Sequence, residues 1–178
     1  MFNNESKLIN KIKNGNQKAF RQLYNQYSGY ALRTAYAITK SNNDAADIVQ
    51  ETFIKVYRNI NQFDQSKPFK PWFYRILLNE SRRYMKKQNK QGTVVESEQL
   101  MDYLHAEASR ENEQNSDVLS ILDLVSDRHR AVLVLKYLHD FTEKEIATIL
   151  ELNINTVKSR LYKARQRLRS ILGGESVE

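Results

Sequence analysis

The chain has 178 residues, a formal net charge of +7, 40% hydrophobic and 28% charged residues, and no cysteine. That length holds one ordinary domain or two small ones, and the balance suits a folded chain rather than a disordered one. Five Gly, two Pro and no Cys exclude a turn-rich β-sandwich, a glycine-rich phosphate loop, a disulfide framework, a thiolate zinc site and a thiol nucleophile.

The N-terminal sequence MFNNESKLINKIKNGN lacks the apolar stretch of a signal peptide, and no window approaches 18 consecutive apolar residues, so a cytoplasmic location is expected. Charge divides the chain. Residues 1–90 carry 17 Lys/Arg and 6 Asp/Glu, residues 91–115 one Arg and 6 acids, and residues 116–178 10 Lys/Arg and 9 acids. We expect an N-terminal domain over 1–90, an acidic linker over 91–115 and a C-terminal domain over 116–178. The fold class is all-α, two small helical domains on a flexible linker, with a short helix allowed at Leu100, Tyr103 and Leu104.

In the first domain Phe20, Leu23, Tyr24, Tyr27 and Ala31 recur at helical spacing. Asn43 or Asp44 is expected to cap the next helix, whose apolar line is Ala45, Ile48, Val49, Thr52, Phe53 and Val56. Phe63 to Phe69 breaks the pattern and reads as a loop. Pro71 suits the first position of a new helix, where its missing N–H is not needed. Trp72, Phe73, Ile76 and Leu77 share one side of that helix, which ends in the basic run Arg82, Arg83, Lys86, Lys87 and Lys90. Aromatics beside positive charge can hold unpaired bases. Trp72 and Phe73 lie on the apolar line, so core packing is their better assignment. Tyr74, Asn79 and the loop residues Asp64, Gln65, Ser66 and Lys67 are the better candidates for contact with bases.

In the second domain Ser116 and Ser126 suit N-cap positions. Thr142-Glu-Lys-Glu145 is a capping-box pattern opening a helix with Ile146, Ile149 and Leu150 inward. Asn153 breaks that helix and Asn155 is expected to cap the next. Two helices on a short turn make a helix-turn-helix, here without the glycine often found in the turn. At about 100° per residue, Val157, Leu161, Ala164 and Leu168 cluster within about 60°. Ser159, Tyr162, Lys163 and Gln166 face the opposite way, with Lys158 and Arg169 at the edge. From Asn155 to Ser170 there are six Lys/Arg and no acid. An apolar back, a hydrogen-bonding front and basic flanks fit a major groove, with the flanks on phosphates.

Asp44, Asp47 and Glu51 form an acidic cluster in a basic domain, with Asp47 and Glu51 on one face. A nuclease would need metal ligands around these carboxylates. No His lies near them in sequence, and His105, His129 and His139 are isolated, reading as surface or capping residues. Docking onto a basic protein surface is the better assignment.

Asp44-Ala-Ala-Asp-Ile-Val-Gln-Glu-Thr-Phe-Ile-Lys-Val-Tyr57 resembles the polymerase-binding signature of bacterial sigma factors. Phe69-Lys-Pro-Trp-Phe-Tyr-Arg-Ile-Leu-Leu-Asn79 is similar to their −10 segment. Phe141-Thr-Glu-Lys-Glu-Ile-Ala and Asn155-Thr-Val-Lys-Ser-Arg-Leu-Tyr-Lys-Ala-Arg165 resemble their −35 helix-turn-helix. The three motifs in this order, on a short chain with only a linker between domains, resemble the extracytoplasmic-function group, which keeps only regions two and four. The resemblance implies a non-enzymatic subunit, without cofactor or metal, that lends promoter specificity and strand opening to core RNA polymerase. It implies the beta-prime and beta subunits and promoter DNA as partners, a monomer in the holoenzyme, and an envelope or stress response. It further implies control by an anti-sigma factor, which in this family can be membrane-anchored. By the same resemblance Asp44, Asp47, Gln50 and Glu51 meet polymerase. Asp64, Gln65, Ser66, Lys67, Tyr74, Asn79, Arg82, Arg83, Lys86 and Lys87 meet the −10 element. Lys158, Ser159, Tyr162 and Lys163 take the −35 base contacts, beside Arg160, Arg165 and Arg167, which point more sideways toward phosphates. Ala46 stands where the family usually has an acid, and Pro68 and Pro71 stiffen the −10 loop. A stand-alone helix-turn-helix regulator is the rival assignment. It leaves Asp44–Tyr57 and the helix after Pro71 unexplained.

Overall fold

The structure is a computed structural model and describes residues 2–88, 121–122 and 124–172. The chain forms two compact units, Met1–Ala108 and Ser109–Glu178. Leu100, Tyr103, Leu104, His105, Lys90 and Ser116 lie outside the described residues. Among the described residues there is no strand, and no helix is long and apolar enough to cross a membrane.

The first unit has four helices, α1 (Phe2–Lys13), α2 (Gln17–Thr39), α3 (Asn42–Asn59) and α4 (Phe69–Gln88), with a 3-10 turn at Ile60–Gln62. Helix α1 buries Leu8, Ile9 and Ile12 against α2. It ends where Gly15 takes a φ of +79°, a left-handed conformation open to glycine at no steric cost. There Gly15 N–H donates to Ile12 O at 2.9 Å and Asn16 N–H to Lys11 O at 3.0 Å, which satisfies the last carbonyls. The Asn16 side chain then caps α2 by accepting from Ala19 N–H at 3.0 Å.

Helix α3 is capped by Ser41, whose Oγ accepts from Asp44 N–H at 3.2 Å, and not by Asn43 or Asp44. Asn43 and Asp44 already lie inside the helix. The preceding residue, Lys40, takes a left-handed φ of 60° that closes α2 one residue earlier. Every residue of the expected apolar line of α3 is buried. Helix α4 starts at Phe69, so Pro71 is third rather than first, still within the turn whose N–H groups have no helical partner. Phe73 and Leu77 are fully buried, whereas Trp72 and Ile76 are half-buried.

The core of this unit is a ring cluster. Phe73 lies 4.9 Å from Tyr27 and 5.3 Å from Phe53, and Phe63 lies 5.5 Å from Phe69, edge to face. Such spacings add to the area that these rings bury.

The second unit contains α5 (Asp127–Leu133), extended by a π turn at Val134–Leu138, then α6 (Glu143–Leu150) and α7 (Ile154–Leu172). Ser126 is the N-cap residue of α5, but its hydroxyl meets His129 Nδ1 at 3.1 Å rather than a helix amide. Thr142 and Glu145 form the expected capping box on α6. Helix α6 closes at Glu151, φ 56°. The amide of Asn155 is capped by the side chain of Asn153, at 2.8 Å, so Asn153 takes the capping role expected of Asn155. Helix α7 packs against both α5 and α6 through Val157, Leu161 and Ala164, all buried. Arg130, also buried, donates to Leu122 O at 3.0 Å and Val125 O at 3.2 Å, tying the residues before α5 to that helix.

Phe73→Ala is expected to destabilise the first unit by about 3–5 kcal/mol, the usual cost of emptying a packed aromatic site. Trp72 is the only tryptophan, so its fluorescence in a urea titration reports this unit separately. A loss below about 1 kcal/mol would show that the ring cluster is not the core.

Candidate nucleic-acid interface

Three exposed surfaces gather the candidate residues. The first is the acidic side of α3. Asp47, Gln50, Glu51 and Ile54 stand at positions i, i+3, i+4 and i+7, one face of a helix. Gln50 and Ile54 are exposed, and Asp44, Asp47 and Glu51 are half-buried. Burial, and secondarily the neighbouring Asp44 carboxylate, raises the Asp47 carboxyl above the ordinary carboxylate range. A cation placed opposite would favour the charged form. Ala46, at the position where an acid is usual in the resembled family, is buried.

Helix α4 ties into this face. Tyr84 Oη donates to Asp44 Oδ1 at 2.9 Å. Arg83 lies 3.8 Å from Glu51 and 3.2 Å from Glu80. Glu80 is buried and also bonded to Lys55. The Arg83–Glu51 pair is long and solvent-exposed, a kind that contributes at most about 1 kcal/mol, so either partner can exchange it for another. Among the described residues no three potential metal ligands gather.

The second surface is the loop before α4 with the outer side of that helix. Asp64 organises the loop. Its Oδ1 accepts from the Ser66 N–H at 3.0 Å and from the Ser66 hydroxyl at 2.7 Å, and its carbonyl accepts from Lys67 N–H at 3.1 Å. The Ser66 hydroxyl, the Ser66 amide and then Lys67 hold the Asp64 carboxyl below its usual range. Asp64 thus shapes the turn, and Ser66 and Lys67 are exposed on it. Asn79 is exposed and accepts from Arg82 at 3.4 Å. Arg82, Arg83, Lys86 and Lys87 are exposed along α4.

Tyr74 departs from expectation. It is 1% exposed, and burial pushes its hydroxyl up in pKa. The cause is geometric, because α4 buries a wider arc than its apolar line suggests, including Tyr74, Leu78 and Ser81. Tyr74 is core and not a contact for bases.

Helix α1 braces this loop. Lys13 Nζ donates to Phe63 O at 2.8 Å and to Asn61 O at 3.5 Å, and Gln65 Nε2 donates to Asn10 Oδ1 at 2.6 Å. Neither Lys13 nor Asn10 is legible from sequence, because the contacts span some fifty residues and go largely to backbone oxygens.

The third surface is the front of α7. Lys158, Ser159, Tyr162, Lys163, Arg165 and Arg167 are exposed, and Arg160 is half-buried. Tyr162 is 62% exposed, the most exposed large hydrophobic side chain among the described residues. Its hydroxyl accepts from Gln166 at 3.1 Å. His129 of α5 stands beside this surface. By contrast His139 is buried against Phe141, so it is a core residue rather than a surface or capping one.

Residues 23–91 match the family described as Sigma-70 region 2, and residues 116–168 match Sigma-70, region 4. The chain is 30% identical to the ECF RNA polymerase sigma factor SigW of Bacillus subtilis, over 93% of this chain and 95% of that protein. It is 31% identical to the ECF RNA polymerase sigma-E factor of Haemophilus influenzae, over 90% and 91%. It resembles the structure of CnrH in complex with the cytosolic domain of CnrY, with a TM-score of 0.71 and 27% identity over 96% of this chain and 98% of that one. It also resembles the sigma factor RpoE of Bartonella quintana in complex with the anti-sigma factor NepR, with a TM-score of 0.68 and 25% identity over 89% and 99%.

The brace on the loop yields a test. Lys13→Met keeps the aliphatic stem and removes the donor. Amide hydrogen exchange across Phe63–Lys67 should quicken by about fivefold, the equivalent of about 1 kcal/mol. Amides in the middle of α2 should be unchanged. Equal protection of the loop in both proteins would show that Lys13 does not hold it.

Proposed function

The chain belongs to the extracytoplasmic-function RNA polymerase sigma factors, and on that premise we propose how its residues divide the work of directing core polymerase to promoters and starting transcription there. The observation that carries the proposal is the pairing of surfaces within regions two and four. An acidic face and a basic strip lie side by side on region two, and region four presents an exposed reading helix backed by apolar residues.

Asp44, Asp47, Gln50 and Glu51 dock core polymerase at a basic surface of the beta-prime subunit. The loop Asp64–Lys67 and Asn79 receive a −10 base once it leaves the stack, with Asp64 shaping the loop, Gln65 tying it to Asn10 beside the base, and Ser66 and Lys67 facing the DNA. Arg82, Arg83, Lys86 and Lys87 hold the adjacent backbone. Melting needs such a site, since an extruded base must be kept from restacking. On region four Lys158, Ser159, Tyr162 and Lys163 meet base edges of the −35 element. Lys can donate to guanine O6 and N7, and a tyrosine ring can touch a thymine methyl. Arg160, Arg165 and Arg167 meet phosphates. The domain limits that go with this division are 1–90, 91–115 and 116–178.

The protein acts in the cytoplasm as the single sigma subunit of a holoenzyme and has no catalytic residue of its own. Its regulation is by an anti-sigma factor in an envelope or stress response. The similar sigma factor RpoE, bound to the anti-sigma factor NepR, supports this assignment, and the similar CnrH is likewise bound by a protein, the cytosolic domain of CnrY; we infer that the partner here can be membrane-anchored.

Reversing Asp47 and Glu51 to Lys sets like charges against the docking surface. Affinity for core polymerase should fall about a hundredfold or more, with the helical circular dichroism spectrum retained. Unchanged affinity in a titration would assign the acidic face another purpose. For region four, Lys163→Ala in the holoenzyme should cost roughly 1–3 kcal/mol and relax preference at one or two −35 positions. Arg165→Ala should weaken all sequences about equally and lower the salt slope by about one. Binding to a panel of −35 variants at several salt concentrations separates the two, and the reverse pattern would overturn the assignment of the faces.

A further inference from the structure

An open cleft of about 640 Å³ lies between α5 and α7, along the edge of the front of the reading helix. Arg128 and His129 line it from one side, and Arg160 and Lys163 from the other. None of its lining residues is an acid, and none comes from α6. The nearest carboxylate in sequence, Asp127, is paired with Arg130 at 3.1 Å. Four basic side chains therefore converge on a space that holds no counter-charge from its own lining.

The basic lining suits an anionic group. Ser126 Oγ sits 3.1 Å from His129 Nδ1, and both residues line the cleft. Ser159, on the reading face of α7, also lines it, so the cleft continues the surface that meets base edges. A duplex seated on that face would bring its sugar-phosphate backbone alongside. We propose that this cleft holds a backbone phosphate of the −35 duplex, gripped by Arg128 and Arg160, with His129 taking up a proton as the phosphate enters. The proposal rests on the reading that α7 enters the major groove, and it adds a grip from a helix outside the helix-turn-helix.

The sign of the proton linkage follows from the surroundings. Burial first, then Arg160 and Lys163, lower the His129 pKa below its ordinary value in the free protein. Arg128 faces the same space. A phosphate offsets these cations and favours imidazolium, so the bound state holds more protons than the free state. Affinity should therefore rise as pH falls through the interval between the free and bound values.

The test uses holoenzyme and fluorescent promoter DNA at constant ionic strength, from about pH 8 to about pH 6. Core polymerase and the rest of the chain contribute the same background to every variant, so the difference from wild type is what matters. Wild type should gain about three- to tenfold more affinity over this range than His129→Ala or His129→Gln, one proton linking at most tenfold per pH unit. Arg128→Ala, at an exposed position, should weaken every −35 sequence alike and lower the salt slope by about one. Identical pH profiles for wild type and both His129 variants, or an unchanged salt slope for Arg128→Ala, would overturn the proposal. Lys163→Ala is measured alongside. If it alters the ranking of −35 variants while the Arg128 and His129 variants behave as wild type, the cleft is refuted and the groove reading stands. If Lys163→Ala and Arg165→Ala both leave −35 binding untouched, the groove reading itself fails, and the cleft with it.

Discussion

Phe53 of α3 and Phe73 of α4 meet at 5.3 Å, and beside this contact the buried Glu80 is shared between Lys55 and Arg83. This seam fixes how the two working surfaces of region two stand to each other. A buried carboxylate is costly when left unpaired, and Glu80 is paired with a cation from α3 and one from its own helix. The result is that the docking carboxylates and the basic strip belong to one rigid body. Arg83 reaches Glu51, and Tyr84 reaches Asp44, so contacts from α4 end on the face assigned to polymerase. On the proposed division of work, a partner cation arriving at Glu51 would compete with Arg83 for that carboxylate.

Region four solves a simpler problem with a similar device. Helix α7 needs an apolar back to hold it and a front free of acids. Val157, Leu161 and Ala164 bury the back, and the capping box of Thr142 and Glu145 fixes the start of its partner helix. Glu151 and Asp140 accept left-handed backbone to make the corners on either side of α6. Arg130 spends its guanidinium on two carbonyls and Asp127, a structural use of an arginine in a domain whose other arginines mostly face outward.

Helical periodicity made much of this legible. The buried lines of α3, α6 and the back of α7 are all read directly from spacing, because each helix has one broad apolar face. The cap residues at Ser41 and Asn153 were less legible, since a run such as Ser41-Asn-Asn-Asp44 or Asn153-Ile-Asn155 offers several competent oxygens. Backbone geometry at Lys40 and Glu151 selects among them. Tyr74 misled because α4 is covered on more than one side, which its own spacing does not reveal. Glu80, His129 and the Lys13 brace were invisible for a common reason. Their significance comes from side chains or carbonyls on another helix, and such pairings leave no periodic trace.

On the proposed function, the two separate DNA-reading surfaces act together only when polymerase holds them. Two modules on a linker lose effective concentration unless something fixes their separation, and free electrostatic binding is salt-sensitive. Footprinting on a cognate promoter at physiological salt, with the protein alone and then with core polymerase, tests this directly. Protection of both the −10 and −35 elements only in the presence of core is the expected result. A clean, specific footprint from the protein alone would contradict the account.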